Sequence, residues 1–251
     1  MIRTVGIYLY AGLLVICTVF KLQRTKNRLK NHPATITDEE VFVTPKTVSR
    51  KVIEKTGTTV EVKGQEKLPE GAALFVANHQ GLFDILALLG YLGKPIGFIA
   101  KKEIKKLPII SKWMELVYCV FIDRSDRRQS MKAINRGIDY LKAGHSIVIF
   151  PEGTRGEGRE INEFKPGSFR LGLKSNVPIV PVTIDGTYQM LEGSNGRITP
   201  SAITLSIHDP IYPETYTDMK SGEVASKVQA IIENSLVEYD IDTKELEVVR
   251  T

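Results

Sequence analysis

Only two cysteines, one tryptophan and four histidines occur among 251 residues. With Cys17 and Cys119 alone, neither a disulfide framework nor a multi-cysteine zinc cluster can be assembled. A Gly-x-Ser-x-Gly elbow is missing too, since Ser146 and Ser168 lack the second glycine, which removes the common serine-nucleophile arrangement. No internal repeat or low-complexity tract is present. What remains is globular material: 42% hydrophobic and 25% charged residues provide for a packed core and a solvated surface, so disorder does not describe the whole chain.

The net charge of +5 is unevenly placed. Residues 1–56 hold ten Lys/Arg against four Asp/Glu, an excess of +6, so the other 195 residues carry −1. Within that remainder, residues 101–136 hold ten basic and four acidic side chains, and residues 209–251 hold four basic and ten acidic. A cationic strip on a nearly neutral body suits a small anionic ligand or headgroup; a long polyanion needs a broad basic face, so nucleic acid is not an expected partner.

The run VGIYLYAGLLVICTVF at 5–20 is uncharged, and as a helix it is roughly 24 Å long against a ~30 Å hydrocarbon core. It could span with snorkelling flanks or lie partly embedded; if it spans, Lys21, Arg24, Lys26, Arg28 and Lys30 after it against Arg3 alone before it put the rest of the chain on the cytoplasmic side of a cell (inner) membrane. A cleaved signal is disfavoured by the absence of an Ala-x-Ala site, and a lipoprotein by Ile16 before Cys17. The competing reading is a buried core helix. Pro45 then opens a short amphipathic helix over 46–55, with Val48 and Val52 on one side, lying on a surface. Residues 1–56 are therefore expected to form a membrane-associated helical segment with a basic flank, and 57–251 a separate α/β domain.

From Thr58 the pattern changes to strands: TTVEVKG alternates, and AALFVAN is a continuous apolar run after a Leu-Pro-Glu-Gly turn. Further strands are expected at Gly97, before Ile122, at SIVIF ending on Phe150, and over 177–184. Helices separate them, from Asp84 and from Ser125, the latter closed by Gly144. The expected fold is α/β, a central mixed sheet flanked by helices.

Candidate chemistry lies at strand ends. Asn78-His79-Gln80-Gly81-Leu82-Phe83-Asp84 follows AALFVAN directly. Five positions make ~500° around a helix, so His79 and Asp84 cannot face each other on one helix. His79 is therefore expected in the strand-to-helix turn that Gly81 permits, with Asp84 in the first helical turn folding back to fix its tautomer. The pair has no built-in nucleophile. Phe150-Pro151-Glu152-Gly153-Thr154-Arg155 follows SIVIF, at the strand end where α/β sheets hold ligands.

Together, N-H-x-x-x-x-D and, about seventy residues later, F-P-E-G-T-R resemble the glycerolipid acyltransferase family, in particular its short, membrane-associated 1-acylglycerol-3-phosphate acyltransferases. VEVKG at 60–64, FIAKKE at 98–103, VFIDR at 120–124, FKPG at 164–167 and VPIVPV at 177–182 fall in the family's order, over about residues 57–185. Ser111 stands where a glycine is common, and Cys119 where a small residue is. The resemblance implies transfer of an acyl chain from acyl-CoA or acyl carrier protein to the free hydroxyl of a lysophosphatidic acid, giving phosphatidic acid for phospholipid biosynthesis, with membrane lipids as partners and no metal or cofactor. His79 oriented by Asp84 would be the general base. Arg124, Arg155 and Lys101 would face the acceptor phosphate, and Glu152 and the backbone after Gly153 its glycerol hydroxyls. Thr154 would assist them or cap a following helix. The alternatives are acylation of glycerol 3-phosphate or another lysophospholipid, and a lipid-binding scaffold without turnover.

Overall fold

The computed structural model describes residues 1–248. Three helices come first: α1 (Ile2–Cys17), α2 (Val19–Asn31) and α3 (Asp38–Lys55). Strands and helices then alternate as β1 (Thr59–Lys63), β2 (Leu74–Ala77), α4 (Phe83–Tyr91), β3 (Gly97–Lys101), α5 (Pro108–Leu116), β4 (Val120–Ile122), α6 (Arg127–Lys142), β5 (Ile147–Ile149), α7 (Arg170–Ser175) and β6 (Ile179–Asp185). The chain continues through β7 (Ala202–Ile207), α8 (Pro213–Tyr216) and α9 (Ser221–Val248). Seven strands form one sheet in the order β1-β7-β6-β2-β5-β3-β4. From β6 to β4 all neighbours are parallel, while β7 runs antiparallel to β6 and carries β1 parallel to itself, so the sheet is mixed.

The strands read as they do because the sheet is covered on both faces. Leu74, Phe75, Val76 and Ala77 of β2 are each 0% exposed, so a strand buried on both sides has no polar alternation to show. Phe75 and Ala77 face a layer that includes α3, α4 and α5, and Leu74 and Val76 face one that includes α6, α7 and α9. Asp126 caps α6 by accepting from the Arg128 and Gln129 amides at 2.9 and 3.0 Å. Gly144 follows that helix at φ +99°, a left-handed stop that a side chain would resist.

The third helix departs from the sequence reading. It begins at Asp38, seven residues before Pro45, behind Thr37, whose hydroxyl accepts from the Glu40 amide at 3.3 Å. Asp38, Glu39 and Glu40 favour that start by facing the positive end of the helix dipole. Val41, Phe42, Val52 and Ile53 are buried, and α3 packs closely on α4, where Arg50 Nε donates to the Gly90 carbonyl at 2.6 Å. Its apolar face is thus covered by protein.

Residues 2–31 form a helical run interrupted at Thr18, long and apolar enough by composition to cross a membrane, with a best-window hydropathy of 2.0. One side of α1 is docked. Ile7 is buried, Thr4 accepts from the Ile198 amide at 2.9 Å, and the Arg3 guanidinium donates to the Thr56 carbonyl. At the break, Trp113 Nε1 donates to Thr18 Oγ1 at 2.9 Å. The other side exposes Val5, Leu9, Leu13 and Ile16, and beyond the break Phe20 of α2 is exposed too.

Candidate functional site

Parallel strands deliver their C-terminal ends to one edge of the sheet. β2 and β5 are neighbours, so the turn after β2, which holds His79, lies beside the turn after β5, which holds Glu152. β6 flanks β2 on the other side and leads to Thr187. The two sequence motifs thereby form one structure.

His79 sits in the strand-to-helix turn and Asp84 in the first turn of α4, with His79 Nδ1 2.6 Å from Asp84 Oδ2. Asp84 is 0% exposed, yet it is well solvated by protein donors. Its Oδ2 also accepts from the Gln80 and Gly81 amides at 2.7 and 2.9 Å, and its Oδ1 accepts from the Thr187 hydroxyl. A carboxylate surrounded by donors is an acceptor only, so the imidazole carries its proton on Nδ1 and presents Nε2 as the lone-pair nitrogen. The ring stacks on Phe150 with centroids 4.2 Å apart, which fixes its plane.

The second motif grips the backbone of the first. Glu152 Oε1 accepts from the His79 amide at 2.6 Å, and the Gly156 amide donates to the His79 carbonyl at 2.8 Å. Glu152 Oε2 accepts from the amide and side chain of Asn162 at 2.9 and 3.1 Å. Both oxygens of this buried carboxylate are therefore engaged by protein, and Glu152 holds the turn in place of lying open toward a hydroxyl. Burial pushes its acid equilibrium above the ordinary glutamate range, and the donated hydrogen bonds oppose that rise.

The cations are arranged unequally. An Arg124 Nη1 hydrogen bond reaches the Gly153 carbonyl, putting that guanidinium on the second motif. Arg155 pairs with Glu192 Oε1 at 3.0 Å, and the same oxygen accepts from the Leu82 amide at 2.9 Å. Lys101, at the end of β3, is exposed and lies 3.9 Å from Glu103, and among the described residues it makes no hydrogen bond or ion pair to either motif turn. Its neighbour Lys102 pairs with Asp123, and this partner, with Ser125, holds that carboxyl down to about 2. Thr154 is exposed and no helix follows it; an irregular loop runs to Lys165, so the capping alternative falls away. Among the described residues no group of three or more His, Cys, Asp or Glu is placed to hold a metal ion.

Several supports of this site carry no role that the sequence shows, among them Asn78, although the first motif contains it. Asn78 exchanges two 2.8 Å hydrogen bonds with the Ile184 backbone and so pins the turn to β6. Thr187, Asn162 and Glu192 stand far along the chain from His79, and their order in sequence carries no mark of the contact. Gly81 does not take the positive φ that would require glycine; a Cβ there would meet the Glu192 carboxylate at 2.3 Å and displace it from its place beside the turn. The two family departures are accommodated. Ser111 Oγ donates to the Pro108 carbonyl at 3.3 Å, and Cys119 Sγ accepts from the Phe98 amide at 3.2 Å, its thiol pushed up to about 12 by burial.

Residues 59–185 match the family described as Acyltransferase. A 1-acyl-sn-glycerol-3-phosphate acyltransferase of Arabidopsis thaliana chloroplasts is 36% identical over 172 residues, 67% of this chain and 48% of that protein. The chain thus spans about half of that relative's length. A probable enzyme of the same name from Mycoplasma pneumoniae is 31% identical over 240 residues, covering 90% of this chain and 88% of the relative. Among solved structures, the 1-acyl-sn-glycerophosphate acyltransferase PlsC of Thermotoga maritima superposes with a TM-score of 0.77 at 27% identity, over 95% of this chain and 97% of that one.

Proposed function

The chain belongs to the acyltransferase family, and on that premise we propose that it moves a fatty acyl chain from an acyl thioester, carried by coenzyme A or acyl carrier protein, to the free hydroxyl of 1-acylglycerol 3-phosphate. The product is phosphatidic acid, for phospholipid biosynthesis. The observation that carries the reading is the His79–Asp84 pair at 2.6 Å within a donor-saturated turn. In this mechanism His79 Nε2 takes the proton of the acceptor hydroxyl as its oxygen attacks the thioester carbonyl. Asp84 stabilises the imidazolium that forms, and the proton then passes to the departing thiolate. No covalent acyl-enzyme is required, because positioning makes the attack effectively intramolecular.

Arg124 and Arg155 supply planar forks for the acceptor phosphate, with Lys101 as an outlying cation. Gly153 and Thr154 line the acceptor side, and Glu152 acts through the His79 backbone. The first two helices form the membrane-facing part, while α3, packed on α4, belongs with the body that does the chemistry. The exposed apolar side of α1, with its inner side docked on the protein, fits a helix lying in one leaflet better than one crossing the bilayer, on the cytoplasmic side of the cell membrane.

The test is acyl transfer by the purified full chain in detergent, with an acyl thioester and a panel of acceptors: 1-acylglycerol 3-phosphate, glycerol 3-phosphate and other lysophospholipids. Phosphatidic acid as the main product supports the assignment. Equal turnover of phosphorylated and unphosphorylated acceptors would remove the phosphate-binding role of the arginines, and absence of turnover with every thioester would leave the scaffold reading.

A further inference from the structure

The cationic strip at 101–136 is only partly used by the site described above. Beside β4, the edge strand, lies a cavity of about 670 Å³ whose walls come from the turn after β3, from β4 and from α6. That volume is in the range of small-molecule sites, about 300–1,000 Å³. Lys105, Lys106, Lys132 and Arg136 line it, and none of the four forms an ion pair with a carboxylate among the described residues. Two aromatic faces stand among them: Lys105 Nζ lies 5.1 Å from the Phe121 ring centroid, and the Arg136 guanidinium 5.3 Å from that of Tyr140. Of the carboxylates in the wall, Asp123 is taken by Lys102, Glu115 by Lys112, and Glu103 faces Lys101 at 3.9 Å.

The cavity adjoins the catalytic edge. Asp123 is in its wall, and the next residue, Arg124, donates to the Gly153 carbonyl, one residue from the Glu152 carboxylate that holds His79. Cations free of carboxylate partners, with Arg136 Nε held by the Tyr140 hydroxyl at 2.9 Å, stand beside aromatic rings, the chemistry that recognises a phosphorylated purine nucleotide, phosphates on the cations and base against a ring.

We propose that this cavity binds the adenosine 3′-phosphate 5′-diphosphate end of a coenzyme A thioester, while the pantetheine arm carries the acyl carbonyl past Arg124 to His79. The assignment rests on the acyl-transfer reading and extends it to the donor. A concave site of nucleotide size favours coenzyme A over an acidic carrier protein, which would dock on a broad convex basic face.

The experiment uses the full chain in detergent. Adenosine 3′,5′-bisphosphate is titrated calorimetrically into the wild-type protein, the double variant Lys132→Ala/Arg136→Ala and the charge reversal Lys132→Glu, an exposed position whose change spares the core. Binding by the wild type and a loss of about tenfold or more in each variant are expected, together with a matching rise in KM for acyl-CoA and little change in kcat. An acyl-pantetheine donor, which lacks the nucleotide, should keep its KM. A wild type that does not bind the bisphosphate overturns the proposal. So does a parallel KM rise for the pantetheine donor, which marks a structural effect, or a defect confined to acyl carrier protein, which marks protein docking. Calorimetry needs no turnover, so failure of the nucleotide site and failure of the acyl-transfer reading are distinguishable.

Discussion

His79 and His145 each place Nδ1 against an aspartate, at 2.6 and 2.5 Å, and each lies flat on an aromatic ring, Phe150 in one case and Tyr118 in the other. His79 follows β2, and His145 precedes β5, its parallel neighbour, so the two pairs occupy opposite edges of one sheet. Their surroundings separate them. Asp84 is fully buried and receives two backbone amides and a hydroxyl besides the imidazole. Asp38 sits in the first turn of α3, a third exposed, and its bond to His145 ties that helix to the turn after α6. A histidine–aspartate contact is therefore no mark of catalysis by itself. The donors that fix the carboxylate and the arginines beside the turn set one pair apart.

That contrast can be broken or sharpened by substitution. The largest expected effect is at His79→Ala and Asp84→Asn, which should lower kcat by about 10²–10⁴. His79→Ala should leave the circular dichroism spectrum nearly unchanged but cost about 1–3 kcal/mol in denaturant unfolding, since it takes the imidazole partner from the buried Asp84 and a ring from Phe150. Activity above about a tenth of wild type in either variant would take away the general-base role.

Next come the arginines. Arg155→Ala should raise KM for 1-acylglycerol 3-phosphate by about tenfold, the scale of one charge-assisted contact, with Arg155→Lys recovering only part because an ammonium cannot reproduce the fork. A KM change shared equally by the acyl donor would argue against an acceptor site.

Thr187→Val tests the support of the carboxylate. It deletes the donor to Asp84 Oδ1, leaves a buried acceptor wanting, and should cost about 1–3 kcal/mol of stability in denaturant unfolding. A smaller drop in kcat than in Asp84→Asn should accompany it. Unchanged stability and rate together would mean that the hydroxyl contributes nothing to holding Asp84.

The smallest effect is expected at the other end. His145→Ala should leave kcat within about twofold and lower stability by about 1 kcal/mol, the net worth of an ordinary partly exposed hydrogen bond. A loss of turnover like that of His79→Ala would show that the two pairs are functionally linked.

The sequence made the first pair legible and the second invisible for the same reason. His79 and Asp84 are five residues apart, and their turn is bounded by a strand and a helix that local patterning reveals. His145 and Asp38 are 107 residues apart and meet only through packing. The strands β1 to β6 follow from apolar runs and turn residues, but their spatial order does not, since pairing is non-local. The alternation of Ile203, Leu205 and Ile207 carries the signal of β7, and a reading centred on the motifs passes over it. At α3, Pro45 by itself reads as a start signal, but Thr37 with three acids behind it is the stronger one. Asn78 is visible in the motif but its bonds to Ile184 are not, and Thr187 and Glu192 leave no mark at all, because a side chain that supports a turn from far along the chain obeys no spacing rule.

The bonds at Thr4 and Thr18 mean that α1 is bolted to the body at both ends, with Ile7 as a third point between them. An enzyme joined to its anchor by a slack linker would sample every tilt above the lipid. Here anchor and chemistry form one mechanical piece, so with α1 in the bilayer the height of His79 over the lipid plane is built in, like the stop on a drill. For α1 seated in a leaflet as proposed, such a stop would favour acceptors whose hydroxyl reaches that height, a geometric filter separate from how tightly the phosphate is held.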